Sequence, residues 1–115
     1  MGFLSVLFTE RGYTSISGSQ LQSLLNYNRN ILILDVRDIG EYKGGHIPNA
    51  INIPVDTLLS NLSILNSYKD RSIVVYCASG IRSARASDIL STNGFNKVYN
   101  LSGGIYSYNG KLSKR

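Results

Sequence analysis

Apolar residues fall in short blocks along this chain rather than at every second position. Two blocks are continuous and rich in branched side chains: Ile31-Leu32-Ile33-Leu34-Asp35-Val36 and Ile73-Val74-Val75-Tyr76. A strand with one face in water alternates apolar and polar residues, whereas a continuous run predicts a parallel strand covered on both faces. Tyr13 to Ile16, Ala50 to Ile53 and Lys97 to Leu101 read as three further strands. Helical signals lie between them. Ser17 and Gln20 have the spacing of a capping box ahead of Leu21, Leu24 and Leu25. Asp38 to Gly44 reads as a polar turn with a short helix, Asp56 to Leu65 as a broken helix, and Ser83 to Leu90 as a helix stopping near Gly94. Strands alternating with helices predict an α/β domain: a parallel sheet between two helix layers.

Candidate chemistry enters where the second block ends. Cys77, the only cysteine, follows Tyr76, and Ala78-Ser79-Gly80-Ile81-Arg82-Ser83 leads from it into the helix. Gly80 is free to take a positive φ and turn consecutive amides inward. Those amides and the positive end of the helix favour a negative charge. Such surroundings lower a thiol pKa and supply a thiolate nucleophile. Arg82 adds a fixed cation with a planar fork suited to oxyanions. The plainer reading, a cysteine serving as a small buried hydrophobe, does not explain the glycine, the arginine and the helix start beside it.

The segment Cys77-Ala78-Ser79-Gly80-Ile81-Arg82-Ser83 resembles the active-site loop C-x-x-G-x-R-S of the rhodanese sulfurtransferases. Three more blocks are similar to that family. Leu34-Asp35-Val36-Arg37 with Glu41-Tyr42 resembles its DVR…EY segment, Gly45 to Pro54 resembles GHIPGAxNIP, and Leu101-Ser102-Gly103-Gly104 resembles its terminal LxGG turn. The blocks keep family order and span roughly residues 14 to 110. The resemblance implies a rhodanese-like three-layer α/β sandwich with a mostly parallel five-stranded sheet and helices on both faces. It divides the chain into an N-terminal apolar extension (1–12), a rhodanese domain (13–110) and a basic tail (111–115).

The resemblance also implies a reaction. Cys77 would take sulfane sulfur from thiosulfate, polysulfide or a persulfide and hold it as a persulfide. A thiol or cyanide acceptor would then remove it, with no metal or organic cofactor. The amides of Ala78 to Arg82 would stabilise the persulfide anion. Arg82 either binds the donor or ties the loop down through a carboxylate. Ser83 either caps the helix or donates to the sulfur, and capping is the expectation. Asp35 and Arg37 exit their strand on the same sheet edge as the loop; an ion pair ordering the strand end is the favoured reading, with Glu41 a candidate partner for an arginine. His46, the sole histidine, is expected to be a structural hydrogen-bonder, since an ionised thiol needs no base and a metal site needs three or four ligands. Gly103 and Gly104 are expected to turn the chain so that Ile105 to Tyr108 return over the core. The family often has tryptophan where Tyr108 stands. Many relatives also carry a basic residue where Ala78 follows the cysteine, which points away from thiosulfate as donor.

Composition narrows these readings. The 115 residues suit one domain with one core. A single cysteine excludes an internal disulfide and suits a reducing cytoplasm. The net charge of +5 arises from dispersed cations, with a local excess only at Lys111, Lys114 and Arg115, so no nucleic-acid partner is expected and a small anionic sulfur donor is. A thiol or sulfur-carrier protein fits as acceptor. Met1 to Phe8 is too short to span a membrane, and its Phe3, Leu4, Leu7 and Phe8 are expected to dock on the domain's own core. Rival functions are a non-catalytic or persulfide-sensing interaction module and a cysteine phosphatase. The phosphatase loop reads C-x5-R, whereas Cys77 and Arg82 stand as C-x4-R.

Overall fold

The computed structural model describes residues 12–28 and 30–115. The apolar turn read at Phe3 to Phe8 lies outside them. Strand β1 (Tyr13–Ile16) runs into helix α1 (Gly18–Tyr27) through the capping box. There the Gln20 amide donates to Ser17 Oγ at 3.1 Å and the Ser17 amide to Gln20 Oε1 at 2.7 Å. Strand β2 (Leu32–Asp35), the short helix α2 (Ile39–Lys43) and strand β3 (Ile51–Asn52) follow. The broken helix is a single turn, α3 (Val55–Leu58), continued by 3-10 turns over Leu59–Tyr68 with a kink at Asn61. Strand β4 (Ser72–Tyr76), helix α4 (Ile81–Thr92), strand β5 (Lys97–Leu101) and a 3-10 turn (Gly104–Ser107) complete the chain.

The five strands form one sheet in the order β1-β5-β4-β2-β3. Every pairing among the described residues is parallel. The sheet read from sequence as mostly parallel is therefore parallel throughout, and all its strands deliver their loops to one edge.

Side-chain alternation assigns the two faces. Leu32, Leu34, Ile73, Val75 and Val98 point to one side, where Val55, Leu58, Ala86, Leu90 and Phe95 cover them. Ile33, Val74, Tyr76 and Leu101 point to the other, against Leu21, Ile47 and Ala50. Both faces of β2 and β4 are thus buried, which is why neither strand alternates in sequence. Cys77 continues the alternation of β4 and comes out on the face of Val75, beneath α4. Asp35, in step with Ile33, comes out on the opposite face with Tyr76.

The residues read as a basic tail are fastened to the domain. Ser113 pairs antiparallel with His46, with N···O distances of 2.8 and 2.7 Å. Among the described residues no helix is long and apolar enough to cross a membrane.

Candidate active site

Cys77 is the first residue past β4, and its side chain is 1% exposed. Gly80 at φ 109° closes the loop and caps α4, a conformation that an L side chain rarely adopts. The turn aims amides at sulfur: Gly80 N lies 3.1 Å and Ser83 N 3.4 Å from Sγ. The Ser83 hydroxyl is also 3.4 Å away. Burial pushes the Cys77 thiol up; the Ser83 hydroxyl and the amides of Ser83, Gly80 and Ser79 outweigh it, leaving the thiol below its ordinary value.

Arg82 does not join that cradle. Its guanidinium forks onto Glu41 of α2, Nη1 to Oε1 at 2.8 Å and Nη2 to Oε2 at 3.1 Å. The Arg82 hydrogen bonds are the main cause holding the Glu41 carboxyl at about 2, burial opposing them and the Asp38 amide assisting. Arg82 is raised in turn, chiefly by its bonds to Glu41. The pair ties the start of α4 to α2. Ile81, between the cradle and this pair, is 80% exposed, and Ser79 supplies only its amide to the sulfur.

Asp35 and Arg37 form a separate buried network on the other face. Arg37 Nη2 lies 2.7 Å from Asp35 Oδ2 and 2.8 Å from the Gly45 carbonyl. Tyr76, the last residue of β4, donates its hydroxyl to Asp35 Oδ2 at 2.7 Å and accepts the Ile47 amide at 3.0 Å. Burial, then the bond to Asp35, raises the Tyr76 phenol. This knot joins β2, β4 and the loop before β3 directly behind the cysteine. His46, buried, stacks on Tyr42 with ring centroids 3.7 Å apart. Its ring nitrogens meet the carbonyls of Tyr42 at 2.9 Å and Arg115 at 2.8 Å, away from the sulfur.

Two features of the loop's surroundings are not evident from sequence motifs. The turn after β5 clamps the loop: Ile105 N donates to the Cys77 carbonyl at 2.9 Å, and Gly104, at φ 63°, sits where a Cβ would strike the carbonyls of Ala78 and Cys77. Asn100, buried in β5, meets the Ser83 hydroxyl at 2.5 Å. The signal for Asn100 in the chain is slight, a polar residue in step with Val98 on a covered face.

Known proteins share this fold. The Rhodanese-like domain model matches residues 17–111. A rhodanese-related protein from Thermoplasma volcanium is 34% identical, with a TM-score of 0.78 over 88% of this chain and 98% of its own. The human single-domain sulfurtransferase is 28% identical, with a TM-score of 0.72 over 81% of this chain and 92% of its own. Among curated relatives, the tRNA uridine(34) hydroxylase of Buchnera aphidicola is 39% identical over 83% of this chain. That of Escherichia coli K12 is 37% identical over 81%. The chain spans only 31% and 27% of the length of those two proteins. The matched model and these solved structures show that the chain belongs to the Rhodanese-like domain family, whose relatives here include enzymes of the sulfurtransferase type.

Proposed function

We propose that this chain is a rhodanese-type sulfurtransferase that carries sulfane sulfur on Cys77. The supporting observation is the ring of donors about Sγ, with Gly80 N at 3.1 Å and Ser83 N at 3.4 Å. The Cys77 thiolate attacks the outer sulfur of the donor, forming the Cys77 S–S bond while the donor's own S–S bond breaks and its electron pair leaves with sulfite or a thiolate. The charge now rests on the new terminal sulfur, held by the loop amides and the helix start. An acceptor thiolate or cyanide then attacks that sulfur, and the pair of the breaking bond returns to Cys77.

The loop's chemistry bears on the donor. Ala78 is neutral, and the Arg82 fork is engaged by Glu41. A dianion such as thiosulfate therefore meets little free positive charge beside the thiolate, and a persulfide or polysulfide is the better donor. The same engagement weighs against phosphate-ester hydrolysis, which needs an arginine facing the phosphoryl oxygens. A persulfide-sensing role uses the same loading step without turnover.

A second reading follows from the 37–39% identity to tRNA uridine(34) hydroxylases: this domain serves the modification of a tRNA uridine. Nucleoside mass spectrometry of tRNA incubated with the chain, dioxygen as oxidant and a thiol reductant tests it, an added oxygen on uridine favouring it.

Mass spectrometry of the reduced chain after thiosulfate or glutathione persulfide tests the main reading. The expected result is one added sulfur, greater with the persulfide, absent in Cys77→Ser and removed by cyanide as thiocyanate. Failure of both donors to load Cys77 overturns it.

A further inference from the structure

The Ser83 hydroxyl has a single hydrogen and three acceptors within reach. Asn100 Oδ1 lies at 2.5 Å, the Gly80 carbonyl at 3.2 Å and Cys77 Sγ at 3.4 Å. Ser83, Asn100 and Cys77 are buried, and Gly80 is half-buried.

The amide of Asn100 is oriented by its other end. Asn100 Nδ2 faces the Gly80 carbonyl at 3.5 Å, which also accepts the Ala84 amide at 3.1 Å. Reversing the amide would set two oxygens against each other, so Oδ1 is the atom turned to Ser83. With the thiol protonated, one arrangement satisfies every group: the thiol donates to Ser83 Oγ and Ser83 donates to Asn100. Once the thiol ionises, the sulfur becomes the acceptor, and a bond to a charged acceptor is about twice as strong as a neutral one. The hydroxyl can turn to the thiolate only by leaving Asn100 Oδ1 buried without a donor, which carries a desolvation cost.

We propose that Asn100 is a positioning residue that acts through the Ser83 hydroxyl, competing with the sulfur for its hydrogen and so limiting how strongly the cradle favours the Cys77 thiolate. The inference rests on the reading of Cys77 as the sulfur-carrying nucleophile. Other charges about the thiol are already committed. From α4, Arg82 is paired with Glu41 of α2, and Arg85 points outward, 3.8 Å from Asp56 of α3. From β2, Asp35 and Arg37 close on each other and on Tyr76. On β5, Lys97 lies at the opposite end of the strand.

Sign separates this role from simple support of the loop. Asn100→Leu keeps the volume and removes the acceptor, freeing Ser83 to donate to the thiolate. The pH midpoint of Cys77 alkylation by iodoacetamide is then expected to fall by about half a pH unit, a rate gain of roughly threefold on the acid limb. A residue that merely supported the loop would, when replaced, loosen the amides and raise the midpoint. In a Ser83→Ala background the Asn100→Leu shift is expected to vanish. Should Asn100→Leu not fold, Asn100→Ala is read by the same two criteria. A midpoint that stays or rises, or a fall that persists without the Ser83 hydroxyl, overturns the proposal. Alkylation needs no sulfur donor, so its outcome is separate from failure of persulfide loading.

Discussion

The Cys77 carbonyl accepts the Ile105 amide at 2.9 Å, so the residue bearing the sulfur is held from behind by the turn that follows the last strand. Gly104 makes this approach possible because no side chain stands between the two backbones. Gly104→Ala adds a Cβ both at a positive φ and against the Ala78 and Cys77 carbonyls, a change of about 1–3 kcal/mol in backbone strain alone. The expected result is a folded but less stable protein whose persulfide loading falls at least tenfold, read by thermal melting and intact-mass measurement together.

The Arg82–Glu41 fork should behave as one unit. Arg82→Lys loses the two-pronged geometry. Both side chains are partly in water, so the stability change is small, about 0.2–1 kcal/mol. The loading rate is expected to drop several-fold in Arg82→Ala and in Glu41→Gln, with little further loss in the double variant. Equal, fully additive losses would show that Arg82 touches the donor directly.

Acid should weaken that fork over a defined range. Glu41 is depressed in the folded chain to about 2, below the roughly 4.3 of an unperturbed glutamate. A depressed folded value gives stability that is present above the unfolded value and is lost as pH falls through the folded one. The difference in melting temperature between the native chain and Glu41→Gln is therefore expected to be constant at neutral pH and to shrink below about pH 4.5.

Breaking the buried knot behind the cysteine is more costly. Asp35→Asn leaves the Arg37 guanidinium and the Tyr76 hydroxyl facing a neutral amide, and breaking such a pair costs about 3–5 kcal/mol. A fall in melting temperature of at least about 10 °C is expected, with the loop's chemistry affected only through folding.

The thiol itself should titrate low. Cys77 is expected to alkylate in the native chain with a midpoint below the roughly 8.5 of an ordinary thiol and to return to that value in denaturant. Because the folded value is the depressed one, the thiolate adds stability that is fully present above the unfolded value and lost as pH falls through the folded one. A native midpoint at or above that of the denatured chain would contradict the cradle.

What the sequence made legible was local. The continuous runs around Leu34 and Val75, the Ser17 capping box and the Gly80 turn each depend on neighbours within a few residues, and the structure places them as their patterns predict. The contacts that were not legible join distant positions: Tyr76 to Asp35, Ser83 to Asn100, His46 to Arg115. No spacing rule links residues 41, 17 or 69 apart. The 3-10 stretch Leu59–Tyr68 was only partly visible, since its leucines, serines and asparagines follow no helical period.

The strand order has a consequence for how the molecule comes to be active. β1 finds its sheet neighbour in β5, pairing Tyr13 with Val98 across almost the whole sequence. β5 must slot between β1 and β4 before the first strand belongs to anything, and such distant pairings slow folding. The turn at Gly104 follows β5 directly, so the brace behind Cys77 exists only where β5 is seated beside β4, and the sulfur loop thereby reports on the seating of the last strand in the sheet.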